Sequence, residues 1–198
     1  MLIVNIQEEG RFGGPQKRIA EVANLCNESG YKTIALIPKL DSDKFQLLLN
    51  KYSIDHELIS MHRLTRQKSH LLKFLFFFPV EVFRIYKVLR RVKPDIVHCN
   101  GSFQIKGVIA AKLAGIKSVW HMNDTMTLSP VYYIFNKLKG FLGDKFVAAS
   151  KRSAEYYFPD HAKEIAILPA PVMTDSFSPD AVITADELDK MKGFKIVT

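Results

Sequence analysis

Short apolar runs alternate with longer amphipathic segments from one end of this 198-residue chain to the other. Few folds accept that pattern. A strand, a helix and another strand in repeated succession close into a parallel sheet with right-handed crossovers. The strand-like runs are 2–6, 32–37, 56–60, 96–100, 117–121, 145–150 and 164–168. Helices are expected between them, among them 103–114, closed by Gly115, then 131–142 and 152–158. The predicted class is α/β, a doubly wound, mostly parallel sheet with helices on both faces.

The first unit carries the most chemistry. Leu2–Ile6 reads as a buried strand, and Gln7–Gly14 as a polar turn with glycines at 10, 13 and 14. Pro15 then opens a helix, where its missing N–H costs nothing. Ile19, Val22, Ala23 and Cys26 form its apolar stripe, and Gly30 ends it. Free N–H groups at such a helix start attract anions. Gly13 and Gly14 also leave the backbone open to a bulky ligand. The spacing is neither G-x-G-x-x-G nor a nucleoside triphosphatase loop. A plain tight turn is the alternative.

Composition narrows the class. The chain is 47% hydrophobic and 24% charged, an ordinary balance for one buried core. No basic segment precedes the first strand, so no signal peptide is expected. Cys26 and Cys99 have no metal or redox spacing and read as free thiols of a cytoplasmic protein. Asp41-Ser42-Asp43 has the form of a metal-binding D-x-D, but an Asp before Lys44-Phe45-Gln46-Leu47 is more simply a helix N-cap. Neither a metal nor a cofactor is expected.

Of 28 basic and 20 acidic residues, nine basic and one acidic (Glu81) fall in 61–93, leaving 19 of each elsewhere. The excess of +8 is therefore one located surface. Within it, Pro79 splits a long helix or kinks it. The longest apolar run, Phe74–Val80, is too short to span a bilayer. Phe and Leu mixed with Lys and Arg suit a helix lying on an anionic membrane. The stripe Val82, Ile85, Tyr86 and Leu89 equally suits a core helix with a solvated basic face. No nucleic-acid motif accompanies the segment, so nucleic acid is not an expected partner.

Ligands of a parallel sheet sit beyond the carboxyl ends of its strands. Those ends place Gly13, Gly14, Asn100, Gly101, Ser102, His121, Asn123, Asp124 and Ser150 in one region. The alternative for His121 is a buried, merely satisfied histidine.

Taken in order, four landmarks resemble the N-terminal domain of a GT-B fold glycosyltransferase of family 4. They are the Gly13-Gly14 loop with its helix ending Asn27-Glu28-Ser29-Gly30-Tyr31; Lys93-Pro94-Asp95-Ile96-Val97-His98 followed by Asn100; Val119-Trp120-His121; and Phe146-Val147-Ala148-Ala149-Ser150 with Ile167-Leu168-Pro169 and Phe177-Ser178-Pro179. The resemblance implies a Rossmann-like domain over 1–177, then a linker and the first strand of a second, donor-binding domain over 178–198. It implies a retaining hexosyl transfer from a nucleotide-diphosphate sugar, the co-substrate, to a saccharide or lipid-linked acceptor of cell-envelope polysaccharide synthesis. The enzyme would be cytoplasmic, peripheral at the inner face of the plasma membrane through 61–93.

By the same resemblance, His121 would be catalytic, beside the reacting sugar. Gly13 and Gly14 would lie near donor diphosphate and acceptor, and Asn100 and Ser150 would line the cleft. Ala170-Pro171-Val172-Met173 departs from the family's Asn-Gly-Val-Asp turn. The family's nucleotide-binding half has no counterpart in these residues, so this stretch alone is expected to be inactive. The rival readings are a non-catalytic or split-enzyme module needing a partner chain, and a nucleotide-sugar epimerase, which would need paired cleft carboxylates that the sequence does not single out.

Overall fold

Seven parallel strands form one sheet in the order β3-β2-β1-β4-β5-β6-β7 in the computed structural model, which describes residues 1–64, 68–125 and 129–171. The expected linker and strand at 178–198 lie outside the described residues. The strands are β1 (Leu2–Gln7), β2 (Lys32–Pro38), β3 (Asp55–Ile59), β4 (Ile96–Asn100), β5 (Lys117–Met122), β6 (Lys145–Ala148) and β7 (Ala166–Ile167). The helices are α1 (Gly14–Glu28), α2 (Asp43–Lys51), α3 (Lys68–Val92), α4 (Ile105–Ala114), α5 (Ser129–Leu142) and α6 (Lys151–Tyr157). Every expected strand is present. The last is shorter, because a 3₁₀ turn at Ala162–Glu164 takes its first residue.

Two apolar clusters sandwich the sheet. Under α1 and α2 lie Ile19, Ala23, Ile37, Phe45 and Leu49. On the opposite face, Ile6, Ile85, Leu89, Val97, Trp120 and Tyr157 join α3 through α6 to the strands. The helices change face between β1 and β4, so the two strands part their following loops and leave a crevice at their carboxyl ends. Gln7 stands beside Asn100 at that end.

Two local expectations are corrected, and a third is narrowed. Val22 is exposed, because α1 turns Gln16, Ile19, Ala20 and Ala23 to the sheet and carries Val22 on the flank of Arg18, one turn away. Ser42, not Asp43, occupies the cap position of α2. Asp43 falls in the first turn, where its charge suits the helix dipole. Of the two alternatives expected at Pro79, the split does not occur, and α3 is one helix of 25 residues. An interior proline costs about 3 kcal/mol, and burial of Phe74, Val82, Ile85, Val88 and Leu89 offsets it.

The glycines of the first loop divide into two kinds. A Cβ on Gly10 would lie 2.3 Å from the Leu40 carbonyl oxygen, so the fold itself requires a glycine there. A Cβ on Gly14 would meet nothing within 4 Å, and one on Gly13 only Gln16 Oε1 at 3.5 Å. Gly10→Ala is expected to destabilise the chain by about 1–3 kcal/mol. Gly14→Ala should leave stability unchanged or slightly raised, since alanine is the better helix former. Urea denaturation of the two variants checks the contrast, and equal losses would contradict it.

Candidate functional site

A cleft of about 760 Å³ opens where β1 and β4 end. Gly13, Asn100, Gly101, Asn123 and Asp124 line it together. Gly101 adopts φ +100, a left-handed conformation that favours glycine, and its loop is pinned to β5. Its N–H donates to the His121 carbonyl at 2.9 Å, and its own carbonyl accepts from Trp120 Nε1 at 2.9 Å. Tyr157 donates to Asp124 Oδ1 at 3.2 Å, which ties the loop after β5 to α6.

Four of the expected residues stand apart from the cleft wall. Gly14 is the first residue of α1, beside Gly13. Ser102 is buried behind the loop. Ser150 is exposed and serves as the N-cap of α6, accepting from the Ser153 N–H at 3.1 Å. His121 is only 1% exposed and lies beneath the cleft floor.

His121 belongs to a buried relay that local patterns did not disclose. Arg18, 7% exposed, places Nη1 2.8 Å from His121 Nε2 and 3.0 Å from Nδ1. Its Nη2 donates to Asn100 Oδ1 at 2.7 Å. His98 Nε2 lies 3.3 Å from His121 Nδ1, and His98 Nδ1 lies 2.9 Å from Asn5 Oδ1. One polarity runs through the relay: Arg18 donates to His121 Nε2, His121 Nδ1–H to His98 Nε2, and His98 Nδ1–H to Asn5 Oδ1, which leaves the approach of Arg18 Nη1 to Nδ1 a close contact rather than a hydrogen bond. Both histidines are then neutral.

Electrostatics agree with that assignment. Burial, then the Arg18 charge, then His98, push the His121 pKa down to about 2, against a weaker opposing contact with the Leu168 carbonyl. Burial and Arg18 bring His98 to about 4. Burial alone lowers Arg18 to about 10, and among the described residues no carboxylate pairs with it. The relay thus holds one permanent, uncompensated positive charge next to Asn100.

A second charged cluster borders the cleft. Lys106, fully buried at the start of α4, pairs with Glu81 of α3 at 2.7 Å and with Glu8 at 3.5 Å. Glu81 also accepts from the His62 N–H at 3.0 Å, and Glu8 Oε1 from the Leu64 N–H at 2.9 Å. Burial raises the Glu8 carboxyl above its ordinary range, with Lys106 opposing. Glu9 holds both Arg11 and Arg63 at the rim. The structure therefore brings Glu8, Glu9 and Asp124 to the cleft, carboxylates that linear reading did not pair. Glu8 and Glu9 are each engaged by a basic side chain.

The relay makes stability depend on acid. Both histidines have folded pKa values below the unfolded value of about 6.5, so the unfolded chain binds more protons between about pH 6.5 and 4. Stability is intact above that window and falls within it by roughly 1.4 kcal/mol per pH unit for each histidine. His121→Gln should flatten the acid limb of a denaturation series by that amount. In Arg18→Met, NMR titration should find both rings protonating at higher pH. An unchanged limb in His121→Gln would refute the buried neutral pair.

The glycosyltransferase family 4 model matches residues 12–176. Among curated proteins no sequence matches significantly. Solved structures share the fold. A glycosyltransferase from Rickettsia africae is 21% identical over 96% of this chain and 48% of its own, with a TM-score of 0.67. The lipopolysaccharide outer core galactosyltransferase WaaB is 18% identical over 87% of this chain and 46% of its own, at 0.59. A UDP-GlcNAc 2-epimerase from Neisseria meningitidis, bound to UDP-GlcNAc, is 14% identical over 84% and 46%, also at 0.59. The chain thus spans under half the length of each of these structures. Its sheet is the Rossmann-like half of a GT-B fold, and the chain belongs to glycosyltransferase family 4.

Proposed function

We propose that this chain is the acceptor-side half of a retaining glycosyltransferase. In this reading it moves a hexose from a nucleotide-diphosphate sugar to a saccharide or lipid-linked acceptor of the cell envelope. The observation that carries the reading is the open backbone at Gly13 and Gly14. The fold makes no steric demand for glycine there, yet both stand at a helix start and Gly13 lines the cleft. A ligand that packs on the backbone explains them.

The chemistry follows from charge placement. Departure of a nucleoside diphosphate develops negative charge, which fixed dipoles and cations stabilise. The N-terminus of α1 supplies the first, and Arg18 supplies a cation without a counter-carboxylate. His121 acts from beneath: as a neutral acceptor it holds Arg18, and Arg18 in turn fixes the Asn100 amide at the cleft wall. The nucleotide itself is assigned to protein beyond these residues.

The outer face of α3 supports a membrane-borne acceptor. Leu72, Leu75, Phe76, Val80 and Phe83 form an exposed apolar stripe that runs on into Lys87 and Arg90, flanked by Lys73, Arg84 and Arg91. Lys87 lies over the Phe83 ring at 4.8 Å. Among the described residues no helix is long and apolar enough to cross a membrane. An interfacial helix needs such apolar and basic neighbours.

Two measurements test the reading. Transfer assays with UDP-, GDP- and ADP-sugars on the gene product should give a product of retained anomeric configuration by NMR. Arg18→Met should lower the rate at least about tenfold, the scale of losing one transition-state donor. An inverted product would overturn the mechanism. In flotation, the chain should rise with phosphatidylserine vesicles, less so at high salt, and Phe76→Ser with Phe83→Ser should abolish it. Equal binding to neutral vesicles by that double variant would exclude α3 as the docking face.

A further inference from the structure

Three buried oxygen atoms of the cleft lining have no hydrogen-bond partner among the described residues: Gln7 Oε1, Gln104 Oε1 and Asn123 Oδ1. Gln104 Nε2 is in the same condition. Gln104 is 1% exposed and Gln7 6%. A buried amide with both ends unpaired is costly in a native structure and calls for an explanation. Gln104 stands at the cap position of α4 but makes no capping bond with its side chain, so helix termination does not supply one. Gln7, Gln104 and Asn123 all line the cleft.

The polarity of these groups selects a chemistry. The buried oxygens need donors, and Gln104 Nε2 is the one buried unpartnered nitrogen beside them. A phosphate brings acceptors alone and would leave every oxygen unpaired. A hydroxyl both donates and accepts. Two hydroxyls on adjacent carbons match the two ends of a primary amide, one donating to Oε1 and the other accepting from Nε2. The neighbouring Glu8 carboxyl, one of whose oxygens is also without a hydrogen bond, further disfavours an anion.

We propose that the crevice between β1 and β4 is a hydroxyl-reading subsite for an uncharged polyol ring, in which Gln104 grips two adjacent hydroxyls while Gln7 and Asn123 each accept from another. The assignment rests on the transferase reading to the extent that the ring belongs to the acceptor. Specificity would then come from polar groups left unpaired by a ligand lacking the hydroxyl, which penalises deoxy analogues strongly.

The test uses the ¹⁵N-labelled chain and follows by NMR the Gln104 side-chain NH₂ pair, with the backbone amide of Gly101, which lines the same cleft, as the reporter that every variant keeps. Methyl glycopyranosides and myo-inositol should shift this pair, and inorganic phosphate should not. Gln104→Leu should lose the polyol response at least about tenfold and melt at or above the wild-type temperature, because an unpartnered amide has been replaced by an apolar group of similar shape. A shift with phosphate alone, no shift with any polyol, or a polyol response unchanged in Gln104→Leu would each overturn the subsite. Should Gln104→Leu fail to fold, Gln7→Leu and the wild-type titration decide. Transfer activity whose acceptor KM ignores Gln104→Leu would remove the subsite and leave the transferase. A polyol response at Gln104 in a gene product that transfers no sugar would do the reverse.

Discussion

The pairing of β1 with β4 organises this molecule. Strand β1 also pairs with β2, and the connections leave toward opposite faces of the sheet from this point. Parallel strands need long crossovers, and right-handedness decides the face each crossover covers. Once β1 and β4 lie side by side, their carboxyl-end loops are driven apart. The cleft, the glycine loop and the Asn100 turn are then in place before any side chain is chosen. The relay of Arg18, His121 and His98 crosses the same junction, joining α1 to β4 and β5.

Most of the architecture could be read along the chain, because strand and helix periods depend on nearby residues. Ile96–Asn100 and Lys117–His121 announce themselves as apolar runs bounded by turn residues, and Gly115 closes α4 at φ +71 as expected of a left-handed cap. Boundaries slipped where polar chemistry competed with period, as at Ser42 and in the last strand. The grouping of Gly13, Asn100, Gly101, Asn123 and Asp124 followed from topology alone, since parallel strands bring their carboxyl ends to one side.

What could not be read depends on distant partners. Arg18 looks like a solvated residue on an amphipathic helix, and its importance lies in contacts 82 and 103 residues away. His98 alternates between buried Val97 and Cys99 on β4, and nothing local says that its far side meets another histidine. Gln104 reads as an ordinary polar residue near a helix start. Ser150 gave the opposite result: its helix cap is a local feature that accounts for the side chain without reference to the cleft.

The buried Lys106 couples two regions with different surroundings. Its ammonium holds Glu81, which is part of the basic helix α3, and reaches Glu8 on the cleft wall, while its stem leaves the charge 4.3 Å from the Phe74 ring. Removing one partner from such a cluster costs several kcal/mol, roughly 3–5 for a buried pair, so the cluster ties the helix to the wall. In the proposed docking, the surface under α3 sets the height and tilt at which the cleft is presented, in the way a foot fixes the angle of a bracket. On the proposed reading, reach toward an acceptor becomes a property of the surface under the helix as much as of the residues around the opening.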